Sequence, residues 1–151
     1  MSQWTATARA KATPGQVLEV LTHPDEIRRW SPVDFDSDDL DGRRLAAGTR
    51  GRVVGRLAGG SVGFDVEVHT VEEARLELSA EGPVGLDVRY DLKVDDSGAQ
   101  LNASVSMRPS DGLTGRLVAN ATAALLSAGA LEGAAGRIAR VAESQPGIAA
   151  A

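Results

Sequence analysis

Few side chains in this 151-residue chain are placed to do chemistry, and the most telling one is its only tyrosine. Tyr90 keeps phase with Leu86, Val88, Leu92 and Val94, in a run where every second residue is apolar. On a strand this puts the phenol on the covered face, where its hydroxyl needs a ligand, a water or a backbone group as partner. The two histidines are less favourably set. His69 falls out of phase with Val66 and Val68, on the side of Asp65 and Glu67, which reads as a solvated face. His23 stands beside Pro24 at a helix break, where a local capping role accounts for it. Neither histidine has a sequence neighbour that suggests a triad or a metal site, and no His-x-x-x-His pair occurs.

The carboxylates do not pair for acid–base work. The run Asp34, Asp36, Asp38, Asp39, Asp41 invites a calcium loop, which needs Gly at its sixth position and Glu at its twelfth. Counted from Asp34 those positions hold Asp39 and Leu45, so a solvated loop fits better. Asp87, Asp91 and Asp95 share the outward face of one strand with Arg89 and Lys93, a pattern of cross-strand surface pairing. The absence of cysteine removes disulfides, thiolate metal sites and cysteine nucleophiles. No cofactor and no metal are expected. A net charge of −5 and scattered arginines argue against nucleic acid as a partner.

The elements that must position these groups are legible from periodicity. Trp4 to Ala12 alternates as a half-buried first strand. Thr13-Pro14-Gly15-Gln16 then has the form of a capping box with proline at the first helical position. Pro24 ends that helix, and a second short one runs to Trp30 before Ser31-Pro32. Val33 to Leu45 reads as an irregular strand. Five cleaner strands follow, with Gly59-Gly60 as a hairpin turn after Leu57. Their inward set includes Val53, Phe64, Val66, Leu78, Val88, Tyr90, Val105 and Met107, nearly all apolar.

Leu113 to Glu143 contains no proline and reads as one long helix, capped by Ser110 or Asp111. Its apolar face is Leu117, Ala121, Ala124 with Leu125, Ala128, Leu131, Ala135, Ile138 and Ala142. Fourteen of these thirty-one residues are Ala or Gly, so the face is shallow. Glycines at 129, 133 and 136 weaken its second half and predict a bend or raised mobility between Gly129 and Gly136. Residues 144–151 read as a disordered tail after a single domain over 1–143. Met1-Ser2-Gln3-Trp4-Thr5 has no signal pattern and no apolar run is long enough to span a bilayer. A cytoplasmic protein without stable membrane insertion is therefore expected.

The order strand, two short helices, six strands and long helix resembles the helix-grip superfamily of START lipid-transfer domains, pollen-allergen-like plant proteins and polyketide cyclase/dehydrase-like proteins. The residues carrying the resemblance are Ala12-Thr13-Pro14-Gly15-Gln16-Val17, Leu21-Thr22-His23-Pro24-Asp25 and Trp30-Ser31-Pro32. It implies an α+β fold in which a seven-stranded antiparallel sheet wraps around the C-terminal helix, with a ligand cavity between them. The last segment is also similar to a membrane-associated subunit found with some molybdenum-dependent dehydrogenases, while Trp30-Ser31-Pro32 favours the cyclase-like branch. The implied lining is Tyr90, Phe64, Val66, Val88 and Met107 from the sheet, Leu125 from the helix, and Trp30 and Phe35 at the lip. Binding or carriage of a small hydrophobic ligand is the leading expectation. A cyclase/aromatase-like enzyme, which orients a flexible chain with few acids and bases, is the second. An interaction module for a partner enzyme is the third.

Overall fold

A computed structural model describes residues 2–31, 35–37, 44–57, 60–96, 98–108 and 112–144. The chain runs β1 (Ser2–Ala10), α1 (Pro14–Thr22), α2 (Pro24–Trp30), β2 (Phe35–Ser37), β3 (Arg50–Leu57) and β4 (Gly60–Glu72). It continues through β5 (Arg75–Glu81), β6 (Gly85–Asp95), β7 (Gly98–Arg108), α3 (Gly112–Ser127) and α4 (Ala130–Glu143). The seven strands form one antiparallel sheet in the order β1-β7-β6-β5-β4-β3-β2. The first strand thus pairs with the last, which closes the chain around its two short helices. This is the α+β helix-grip arrangement.

Local chemistry explains where the helices begin and end. Thr13 Oγ1 accepts from Gln16 N at 3.1 Å, and Gln16 Oε1 accepts from Thr13 N at 2.7 Å, which completes the capping box. Pro24 starts α2 where α1 stops, and the His23 backbone serves both helices: its N–H donates to Glu19 O and its carbonyl accepts from Glu26 and Ile27. The His23 side chain makes no cap bond and its Nδ1 is buried without a partner. The expected capping is therefore done by the main chain.

The expected single C-terminal helix is two helices, set at 59° to each other. They meet at Ala128-Gly129, where Gly129 adopts φ +100°, a left-handed conformation that costs a residue with a Cβ. The bend falls at the first glycine of the expected 129–136 stretch. Gly133 and Gly136 lie inside an unbroken α4. The break also turns α3 about its axis. Gly115, Val118 and Thr122 are its buried residues, while Leu117, Ala124 and Ala128, all assigned to the apolar face, are exposed. On α4 the expected Leu131, Ala135, Ile138 and Ala142 are all buried.

Of the irregular strand expected over Val33 to Leu45, Phe35–Ser37 pairs with β3. The remaining aspartates of the acidic run, the Ser110 or Asp111 cap, Gly59 of the hairpin turn and residues 145–151 lie outside the described residues. No single described helix is long and apolar enough to cross a membrane.

Candidate functional site on the inner sheet face

The inner face of the sheet holds two apolar clusters. The larger gathers β1, α1, α2 and α4 over one end of the sheet, with Val68, Leu76, Tyr90, Leu92, Leu101 and Ile138 buried in it. The smaller, at the other end, joins Val62, Phe64, Ala80 and Val84 to Val118 of α3. Between the two, cover is incomplete. Val53, Val66, Leu78, Leu86, Val88 and Met107 point inward and are only half-buried, and Leu86 touches both clusters. Leu126 of α3 packs at the same border.

Polar groups meet the larger cluster around Trp30. Trp30, the last residue of α2, is buried, and its indole Nε1 donates to Val20 O at 3.0 Å. Its ring meets Tyr90 edge-on, with centroids 6.1 Å apart and planes at 78°. Tyr90 is 6% exposed, and its hydroxyl has no hydrogen-bond partner among the described residues. Burial raises its pKa far above the ordinary phenol value, so it stays a neutral donor. Arg137 of α4 meets the main chain of the same tryptophan, its Nε donating to Trp30 O at 3.0 Å.

The residues expected to line the site are divided between these regions. Trp30 and Tyr90 touch in the larger cluster, with Val88 packed against it. Phe64 is buried in the smaller cluster beside half-buried Val66 and Met107. Phe35 belongs to neither. It is half-buried on β2, where the Arg28 guanidinium lies 5.1 Å above its ring and donates through Nη1 to its carbonyl at 3.2 Å. Leu125 is half-buried and outside both clusters; the adjacent Leu126 takes the inner position, four residues beyond the buried Thr122. Sequence periodicity missed both Leu126 and Arg137. The turned face of α3 hid the first, and the acceptor of the second is a backbone carbonyl on a distant helix.

The outer face is a different surface. Arg50–Glu67, Arg52–Asp65, Arg75–Asp91, Arg89–Asp91, Arg108–Asp87 and Arg108–Glu81 pair across it. Burial pushes the Asp91 carboxyl up, but hydrogen bonds from Arg75 and Arg89 outweigh this and hold it below the usual carboxylate value. Open depressions of about 420, 350 and 530 Å³ lie here, with mixed polar and apolar walls.

A bulge between Val68 and Thr70 also brings together what sequence spacing keeps apart. Ser79 Oγ lies 2.8 Å from His69 Nε2, whose Nδ1 is 3.9 Å from Glu67 Oε2. Nucleophile, base and acid are in order, yet Glu67 also pairs with Arg50 at 3.4 Å and the histidine is about half exposed. Ser79 sits mid-strand, where neighbouring N–H groups serve the sheet ladder rather than a developing oxyanion. The cluster is a surface network. Among the described residues no group of three or more His, Cys, Asp or Glu could hold a metal ion.

Comparison with known proteins identifies a family and a shared fold. The family model for polyketide cyclase/dehydrase and lipid transport matches residues 1–143. The chain belongs to that family. Among solved structures, TTHA0849 from Thermus thermophilus superposes on this family member with a TM-score of 0.72 at 15% identity, covering 96% of this chain and 99% of that one. DynU16, a putative protein in the dynemicin biosynthetic locus, matches with a TM-score of 0.57 at 22% identity over 95% of this chain and 48% of its own. Ara h 8.0201 matches with a TM-score of 0.60 at 13% identity, covering 91% and 97%. At these identities the likeness is one of fold. No curated protein matches the chain.

Proposed function

We propose that this family member binds or carries a small, largely hydrophobic molecule between the inner sheet face and the α3–α4 pair. The observation that carries the reading is the strip of inward apolar residues left half-buried between two closed clusters. Apolar area in that state gains about 25 cal/mol per Å² when a ligand covers it. Phe64, Val66, Val88 and Met107 are the proposed wall, Trp30 and Tyr90 the corner, and Leu125 and Phe35 the rim. The neutral Tyr90 hydroxyl supplies the orienting hydrogen bond. The protein acts in the cytoplasm in this reading, without inserting into a membrane.

The test is Tyr90→Phe. Removing a hydroxyl that has no protein partner among the described residues leaves the melting temperature unchanged or higher, while affinity for an apolar ligand that accepts from that hydroxyl falls about threefold to tenfold. A co-purified small molecule, detected by native mass spectrometry and lost on extraction, is the second expected result. If no species co-purifies, and no lipid or aromatic polyketide shifts the melting temperature, the carrier reading is wrong.

One observation favours a second reading, a cyclase-like enzyme. Tyr90 packs on the Trp30 ring and Arg137 binds the Trp30 carbonyl, so one residue links two polar donors. Such a pair would orient the carbonyls of a flexible chain, with the rate gain coming from positioning. Multiple turnover of a poly-β-ketone mimic supports this reading, and stoichiometric binding without turnover refutes it.

A further inference from the structure

We propose that the molecule held on the inner face is an amphiphilic carboxylic acid, and that Arg137 takes its carboxylate. The inference rests on the reading that an apolar molecule lies there, and it adds the chemistry of the head group. Three described arginines are half-buried: Arg75, Arg108 and Arg137. Arg75 has the Asp91 carboxylate at 2.8 Å, and Arg108 has Asp87 at 3.2 Å together with Glu81. Arg137 has no carboxylate within reach among the described residues. Its Nε is engaged by the Trp30 carbonyl at 3.0 Å, which leaves both Nη groups without an acceptor among the described residues.

A guanidinium has five N–H donors in a planar fork, and a carboxylate is the partner that fits two of them at once. Both Nη groups are therefore open to a further acceptor, and an anion is the strongest one available to a guanidinium. A Cβ at position 133 would stand 3.4 Å from Arg137 Nη1, so the side chain lies back along α4. That is the direction helical side chains favour, and it leads toward the break at Gly129. Trp30 joins this head to the tail, because the residue whose carbonyl holds Arg137 also packs its ring against Tyr90 beside Val88.

The experiment uses the neutral fluorescent probe N-phenyl-1-naphthylamine, displaced by dodecanoic acid or by dodecan-1-ol at about pH 8, where the acid is ionised. In the wild-type chain the acid competes about tenfold or more better than the alcohol, the scale of a charge-assisted pair. Arg137→Gln removes this preference and leaves probe and alcohol unchanged, whereas Arg137→Lys retains part of it. Equal competition by acid and alcohol in the wild type overturns the proposal while leaving the carrier reading intact. So does an Arg137→Gln variant that loses both competitors equally, because the residue then acts only as a clamp on α2. If the probe does not bind and neither competitor raises the melting temperature, the carrier reading falls and this inference falls with it.

Discussion

The two halves of the C-terminal segment differ more than their sequences suggest. α4 carries two internal glycines, Gly133 and Gly136, each of which lowers its helix propensity. It is nevertheless the better anchored. Seven of its residues are buried against β1, α1, α2 and the sheet, and Glu143 Oε2 accepts from Lys11 N at 2.7 Å to pin its far end. α3 also holds two glycines, Gly112 and Gly115, and buries only Gly115, Val118 and Thr122, leaving Leu113 and Leu117 76% and 58% exposed. Helix stability in a folded protein comes mainly from the face it buries rather than from propensity. The half expected to be weak is therefore the better anchored one, and α3 is the looser cover over the half-buried strip.

Mutation can break this contrast in several places, and Ile138 should give the largest effect. Ile138 is fully buried, so Ile138→Ala should cost about 2–5 kcal/mol in denaturant unfolding. Leu117→Ala should stay within about 0.5 kcal/mol, and similar losses at the two sites would erase the contrast. Gly129→Ala comes next. Forcing a Cβ into the left-handed conformation should cost about 1–2 kcal/mol, and a neutral result would mean that the break is not held at that residue.

Hydrogen exchange sharpens the same point without a mutation. Amides of α3 should exchange through local opening, ahead of α4 amides that wait for global unfolding, and equal protection would rule out α3 as the looser half.

Two smaller effects depend on pH. The Tyr90 phenol titrates higher in the folded state, so its contribution is intact below the ordinary phenol value of about 10 and is lost as pH rises beyond it. Tyr90→Phe should flatten that alkaline fall in melting temperature. Asp91 is the opposite case. Its folded pKa is depressed, so its contribution is present above the ordinary carboxylate range and disappears as pH falls through the folded value. Asp91→Asn should lower the melting temperature slightly at neutral pH and not at all in strong acid. The effect is the smallest because the pair is solvent-screened on the outer face.

Much of the fold was legible in the residues themselves. Period-two alternation assigned the inner and outer faces of β4 to β7 because side chains on a strand alternate strictly. Val94 shows its limit, being in phase with Leu92 yet 77% exposed where the sheet runs past its cover. Thr13, Pro14 and Pro24 marked the helix boundaries because capping and proline geometry act within a single turn of chain. Tyr90 was found as the polar group of the inner face by the same alternation.

What lay beyond the sequence was everything set by contacts between distant segments. A bulge in β4 brought His69 to Ser79. The left-handed turn at Gly129 rotated α3, so Leu126 replaced Leu125 at the inner border and Leu117 turned outward. Arg137 meets the Trp30 carbonyl only because the end of α2 arrived beside α4. Local periodicity and capping chemistry determined which elements form and which strand faces are apolar. Tertiary packing decided how far the C-terminal segment could wrap, and hence which apolar residues stayed half-covered and which half-buried arginine lacked a carboxylate among the described residues.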